Sequence, residues 1–147
     1  MNDDDCQAAE KFFHEKIPLT RAMGVRVVCE AANHFAVEAP LALNFNHLHT
    51  AFGGSINAVA TLAGYGFLWL ELRGTAHVVI ANSAIRFLRP VRKTIRAVCQ
   101  RPTATEWKNF REILRHKEKS RITLRVLVEE DGSRAAEFEG VFVAIAN

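Results

Sequence analysis

Between residues 44 and 55 the chain reads Asn44-Phe45-Asn46-His47-Leu48-His49-Thr50-Ala51-Phe52-Gly53-Gly54-Ser55, and a long small-and-apolar run follows at once. Two adjacent glycines thus stand at the mouth of what should be a buried helix. Glycine lets backbone approach a ligand with no side chain in the way. A helix N-terminus offers free N–H groups and partial positive charge to a carbonyl oxygen or an anion. Together they form a plausible oxyanion site of the kind acyl transfer requires. A Gly-Gly pair also fits an ordinary tight turn; the flanking Asn/His loop and apolar helix favour the site. Asn46 can orient water or a carbonyl, or can close an Asx turn onto its own backbone. Ser55 suits a helix cap or hydrogen-bond donor better than a nucleophile, because the motif is not GxSxG. Asn57 and Thr61 follow on the helix, and a buried threonine hydroxyl most often bonds its own backbone.

His47 and His49 titrate in the range useful to a general base. A metal would need a further ligand, and no Cys or carboxylate lies close in sequence, so no metal site is expected. Arg86, Arg89, Arg92 and Lys93 flank Pro90, and a second basic group comprises Arg111, Arg115, His116, Lys117, Lys119 and Arg121. Arginine's forked donors suit phosphate oxygens; a solvated face is the competing reading. The net charge of +3 names no partner, and the aromatic-basic motifs of nucleic-acid binders are missing. Cys6, Cys29 and Cys99 are odd in number and form no CxxC, which reads as three free thiols in a reducing compartment. The acidic start, Asp3-Asp4-Asp5, is unlike a secretory signal. The run 55–72 nearly spans a bilayer in length, yet its polar residues and glycines make it a buried helix instead.

The elements that must position these groups follow from periodicity. A helix over 5–16, capped by Asp3 to Asp5, presents Ala8, Ala9, Phe12 and Phe13 on one face. Pro18 ends it, and a further turn is expected over 20–23. Strands at 25–30 and 34–38 enclose a tight turn at Ala31, Ala32 and Asn33. The central helix, 55–72, is apolar almost all round. Strands then follow at 76–88, 94–100, 121–130 and 135–146, with Asp131-Gly132 as a hairpin signal. A helical insert, 105–119, carries Trp107, Phe110, Ile113 and Leu114 at helical spacing. This is an α+β plan over 1–147 as one domain, a curved antiparallel sheet around one central helix with the first eighteen residues packed on it. Such a sheet has open edges, which favours pairing of two subunits.

This arrangement, with Asn46-x-x-x-Thr50-x-Phe52-Gly53-Gly54-Ser55, resembles the hotdog-fold acyl-CoA thioesterases. It is most similar to the thioesterase domain elsewhere appended to GNAT-type acetyltransferases, the YiiD C-terminal type. Pro40-Leu41, Ala63-Gly64, the run from Asn82 to Val91 and that from Glu137 to Ala144 carry the likeness further. The resemblance implies a cytoplasmic homodimer, with tetramers as a further pairing, whose active sites lie at the subunit interface. Its substrate would be an acyl thioester of CoA or of acyl carrier protein. No cofactor, nucleic acid or membrane is implied. By this likeness Gly53, with Gly54, would polarise the thioester carbonyl, and Asn46 would place substrate or water. Phe52 and Phe67 would line the acyl pocket with residues of the partner, alongside Ser55 and Asn57, and Arg86, Arg89 and Lys93 would meet phosphates. Phe52 stands where relatives carry histidine, and Thr61 where they carry the acid that activates attack. Three readings stay open: water held by Asn46, Asn57 and Thr61; His47 or His49 as base; or a domain that binds acyl-CoA and scarcely hydrolyses it.

Overall fold

The structure, a computed structural model, describes residues 1–30 and 34–147; the turn read at Ala31, Ala32 and Asn33 lies outside them. The chain begins with α1 (Asp3–Lys16), α2 (Pro18–Ala22), β1 (Arg26–Glu30), β2 (His34–Ala39) and a 3₁₀ turn (Leu41–Leu43). It continues through α3 (Gly53–Leu72), β3 (Ala76–Phe87), β4 (Ile95–Cys99), α4 (Ala104–Lys117), β5 (Lys119–Glu130) and β6 (Ser133–Ala146).

Helix α1 starts earlier than its periodicity suggests. Its cap is Asn2, whose side chain accepts the Asp5 amide while Asp5 accepts the Asn2 amide in return, so Asp3 to Asp5 form the first turn and complement the helix dipole. Likewise α4 is capped by Thr103 with Glu106 and begins at Ala104, one residue before the expected start. Pro18 stops α1 and opens α2, where its missing N–H costs nothing.

The six strands form one antiparallel sheet in the order β1-β2-β4-β5-β6-β3. In β5, Ser120, Ile122, Leu124, Val126 and Val128 are buried while Lys119, Arg121, Thr123 and Arg125 face out, the alternation of a sheet with one covered face. Asp131 and Gly132, at φ 52° and 75°, make the β5–β6 hairpin turn with the left-handed pair a type I′ turn demands. Helix α3 packs against β2, β3, β4 and β5. It approaches closely because Gly66 leaves room: a Cβ there would lie 2.6 Å from the Phe35 ring and 2.7 Å from Phe13.

The two outer strands differ. On β1, the Glu10 carboxylate of α1 accepts the Val27 amide at 2.9 Å, and Cys6 of α1 is disulfide-bonded to Cys29 of β1 with Cα atoms 5.8 Å apart. The expectation of three free thiols is therefore corrected; Cys99 alone is free, and it is buried. At the other margin, among the described residues, β3 pairs only with β6, and most of its twelve residues are exposed. Phe67, expected at the acyl pocket, is instead a core residue, 1% exposed, between Trp107 at 5.9 Å and the Arg101 guanidinium at 5.3 Å.

Candidate active site

A pinned loop delivers the chain to α3. The Asn44 side chain is buried and donates to the carbonyls of Met23 at 2.9 Å and Pro40 at 2.8 Å, while the backbone carbonyl of Asn44 accepts the Phe52 amide at 2.8 Å. The Ala51 amide donates to the Val91 carbonyl at 2.8 Å, tying this loop to the segment after β3. Phe52 then caps α3 with extended backbone and no side-chain acceptor. The first helical bond runs from the Ile56 amide to the Phe52 carbonyl. Among the described residues the amides of Gly53, Gly54 and Ser55 consequently have no acceptor.

These amides stand beside an open groove of about 420 Å³ lined by Asn46, Thr50, Ala51, Gly53, Ile56, Phe87, Leu88, Arg89 and Pro90. A Cβ on Gly53 would sit 3.5 Å from Phe87, in ordinary contact, so the bare backbone there keeps the groove open rather than averting a clash. Gly54 differs: a Cβ would fall 2.4 Å from the Phe52 ring, which lies over it.

Asn46 folds its side chain into its own loop. Its Oδ1 accepts the Leu48 amide at 2.9 Å and the Thr50 amide at 3.2 Å, and its Nδ2 donates to Thr50 Oγ1 at 2.9 Å. One amide hydrogen remains. The Asx turn is present, and Asn46 also lines the groove. His49 adopts φ 59° and stacks on Phe45 at 5.1 Å; both His47 and His49 are exposed, and neither lines the groove.

Further along α3, Thr61 donates to the Asn57 carbonyl at 2.9 Å, bonding its own helix, and lies about 12 Å beyond Gly53 by helical rise. The Asn57 Oδ1 is buried without a hydrogen-bond partner. Asn57 shares with Gly53 the side of α3 that meets the sheet, one turn on. The expected phosphate binders serve the fold: Arg89 donates to the carbonyls of Glu130 and Ser133, Lys93 pairs with Asp131 at 3.1 Å, and Arg86 lies 3.9 Å from Glu137. Ser55 is half-buried and makes no cap.

The structure brings together Asn46, Gly53 and Arg89 and leaves His49, Thr61, Arg86 and Lys93 outside the groove. Sequence reading missed Thr50, Phe87, Leu88 and Pro90 as groove residues. Pro90 was the available signal, because it forces an extended return past the helix start. The groove lining contains no carboxylate. Among the described residues no group of three or more His, Cys, Asp or Glu could hold a metal, and no helix is long and apolar enough to cross a membrane. Burial pushes the Cys99 thiol up to about 12, against a smaller lowering by Arg101, which removes it as a nucleophile near neutral pH.

Comparison with known proteins bears on the family and the fold. Residues 6–146 match the family model described as "Putative thioesterase (yiiD_Cterm)". A protein of unknown function from Chlorobaculum tepidum is similar at 26% identity, covering 99% of this chain and 96% of that one, with a TM-score of 0.91. A structure titled as the "putative thioesterase" from Shewanella oneidensis is 28% identical, covers 98% and 99%, and has a TM-score of 0.88. A thioesterase from Haemophilus influenzae, at 13% identity, 96% and 90% coverage and TM-score 0.73, shares the fold. The sheet wrapped on α3 is the hotdog fold. The chain belongs to this thioesterase family, whose general activity is thioester hydrolysis.

Proposed function

We propose that the protein hydrolyses an acyl thioester of CoA at the N-terminus of α3, within a homodimer. The observation that carries this reading is the set of acceptor-free amides of Gly53, Gly54 and Ser55 opening beside a groove that Asn46 and Thr50 line. The thioester carbonyl oxygen would accept from the Gly53 and Gly54 amides, and negative charge developing there is stabilised by backbone donors and helix dipole. Water attacks the carbonyl carbon and forms a carbon–oxygen bond; the carbon–sulfur bond breaks, and the water's proton ends on the departing thiolate through solvent. The spare amide hydrogen of Asn46 holds the carbonyl or the water. Phe52 and Phe87, 56% and 54% exposed, offer apolar surface to the acyl group. This chemistry asks for no cofactor beyond the CoA of the substrate.

The twelve-residue open edge of β3 supports dimerisation, because a long unpaired strand seeks a partner. Exposed Phe45, Leu48, Phe52 and Phe87 would be covered by the same pairing. A second reading, a non-catalytic acyl-CoA binding module, is favoured by one observation: the groove carries no carboxylate, and Thr61 spends its hydroxyl on its own helix.

Thiol release from a panel of acyl-CoAs, short to long and aromatic, separates the two. Turnover of one acyl class that Asn46→Ala abolishes establishes hydrolysis and its substrate class. Silence across the panel, with CoA still raising the melting temperature, establishes the binding module.

A further inference from the structure

Water that attacks a thioester needs a hydrogen-bond partner of the right kind. A donor to its oxygen competes for the lone pair that must attack, whereas an acceptor turns that lone pair toward the carbonyl carbon. Around the start of α3 the side-chain acceptors are spent. Asn46 Oδ1 takes the Leu48 and Thr50 amides, and Thr50 Oγ1 takes the Asn46 amide. Among the described residues lining the groove there is no carboxylate, and Arg89 alone is charged.

Asn57 holds the acceptor left over. Among the described residues nothing donates to its Oδ1, which is buried, although the residue as a whole is only half-buried. A buried acceptor without a donor costs stability, and folded proteins mostly avoid one. Asn57 sits four places after Gly53, about 6 Å along the helix axis, behind the groove lining rather than in it. Helical side chains lean toward the N-terminus and cover the preceding turn. Here that turn begins with Gly53, which has no side chain to compete for the space. Across it stands Phe87, 3.5 Å from where a Gly53 Cβ would lie. The Asn57 carboxamide therefore reaches back toward the helix mouth, where the Gly53, Gly54 and Ser55 amides lack acceptors.

We propose that Asn57 is a catalytic residue whose Oδ1 accepts a hydrogen bond from the attacking water while the thioester carbonyl rests on the Gly53 and Gly54 amides. The water oxygen bonds to the carbonyl carbon, the carbon–sulfur bond breaks, and the proton passes through solvent to the departing thiolate. Asn57 itself neither gains nor loses a proton; it orients. The unpartnered acceptor is then kept for the reaction at a cost in stability. This assignment rests on the thioester reading above.

Asn57→Leu and Asn57→Asp, made in the full chain, test it. Leucine is close to asparagine in bulk and needs no donor. Its melting temperature should hold or rise, while kcat falls at least about tenfold and KM moves little. Aspartate keeps the shape and sets an ionisable group against the water. Its kcat should gain an acid limb absent from the wild type, dropping tenfold per pH unit below the carboxylate's ionisation. Unchanged kcat in Asn57→Leu, or an Asn57→Asp profile that superimposes on the wild type, overturns the proposal. Should leucine fail to fold, the aspartate profile decides alone. Failure of the thioester reading looks different. Wild-type turnover that Asn46→Ala abolishes but neither Asn57 variant alters removes only this assignment. A silent wild type that Asn57→Asp renders active removes the wild-type hydrolase and keeps Asn57 against the water. Silence of both proteins overturns both.

Discussion

Because the Asn46 side chain closes its own loop through Leu48 and Thr50, removing it mixes structural loss with chemical loss. Asn46→Asp separates them. A carboxylate still accepts the two backbone amides, so the melting temperature should stay near the wild-type value, whereas the donated hydrogen is gone and kcat should fall about 100-fold. A variant that keeps full turnover would move the site elsewhere. Cys99 gives a second prediction at this scale. Its ionisation is pushed from the ordinary thiol range up to about 12 by burial, so the folded state keeps a proton that the unfolded state releases. The stability this lends is fully present below pH 9 and is lost as pH rises from about 9 to about 12, by up to tenfold in the folding constant per pH unit. Urea titrations across that range should show Cys99→Val with a shallower decline than wild type. Tyr65, also raised by burial, contributes in the same direction in both proteins.

Helices and hairpins were legible because periodicity and turn chemistry are local: the β5 alternation, the Asp131-Gly132 turn and the apolar run of α3 all appear where the pattern puts them. What stayed hidden depends on register between distant segments. Nothing around Arg86 announces that Glu137 lies opposite it on β6, and nothing in the spacing of Cys6 and Cys29 says that α1 lies along β1. The groove was half legible for the same reason; Gly53 and Asn46 are neighbours in sequence, whereas Phe87 and Pro90 arrive from the far end of another strand. Two glycines of α3 test how the helix is seated. Gly66→Ala drives a methyl group into Phe35 and Phe13 in the core and should cost about 1–3 kcal/mol. Gly53→Ala meets Phe87 at ordinary contact distance, so it should melt within a few degrees of wild type while turnover drops. Reducing Cys6–Cys29, which spans 23 residues, should lower stability by about 3 kcal/mol, read as the difference between urea midpoints with and without reductant.

At the scale of the whole molecule the sheet has two unlike margins. Asn82→Asp/Ala84→Asp would set carboxylates against their symmetry mates near the middle of β3, and sedimentation should then show monomers. If the dimer persisted, pairing would not run through β3. The other margin is masked by α1, held there by Glu10 and the Cys6–Cys29 bond. A unit with one reactive edge behaves like a monofunctional reagent in a polymerisation: it can terminate growth but never propagate it. Detaching α1 would make the same chain bifunctional, able to add at both ends, and the outcome would change from a counted pair to an open-ended ribbon. On the proposed β3 pairing, the first helix, far from the proposed chemistry, would set the ceiling on how many copies join.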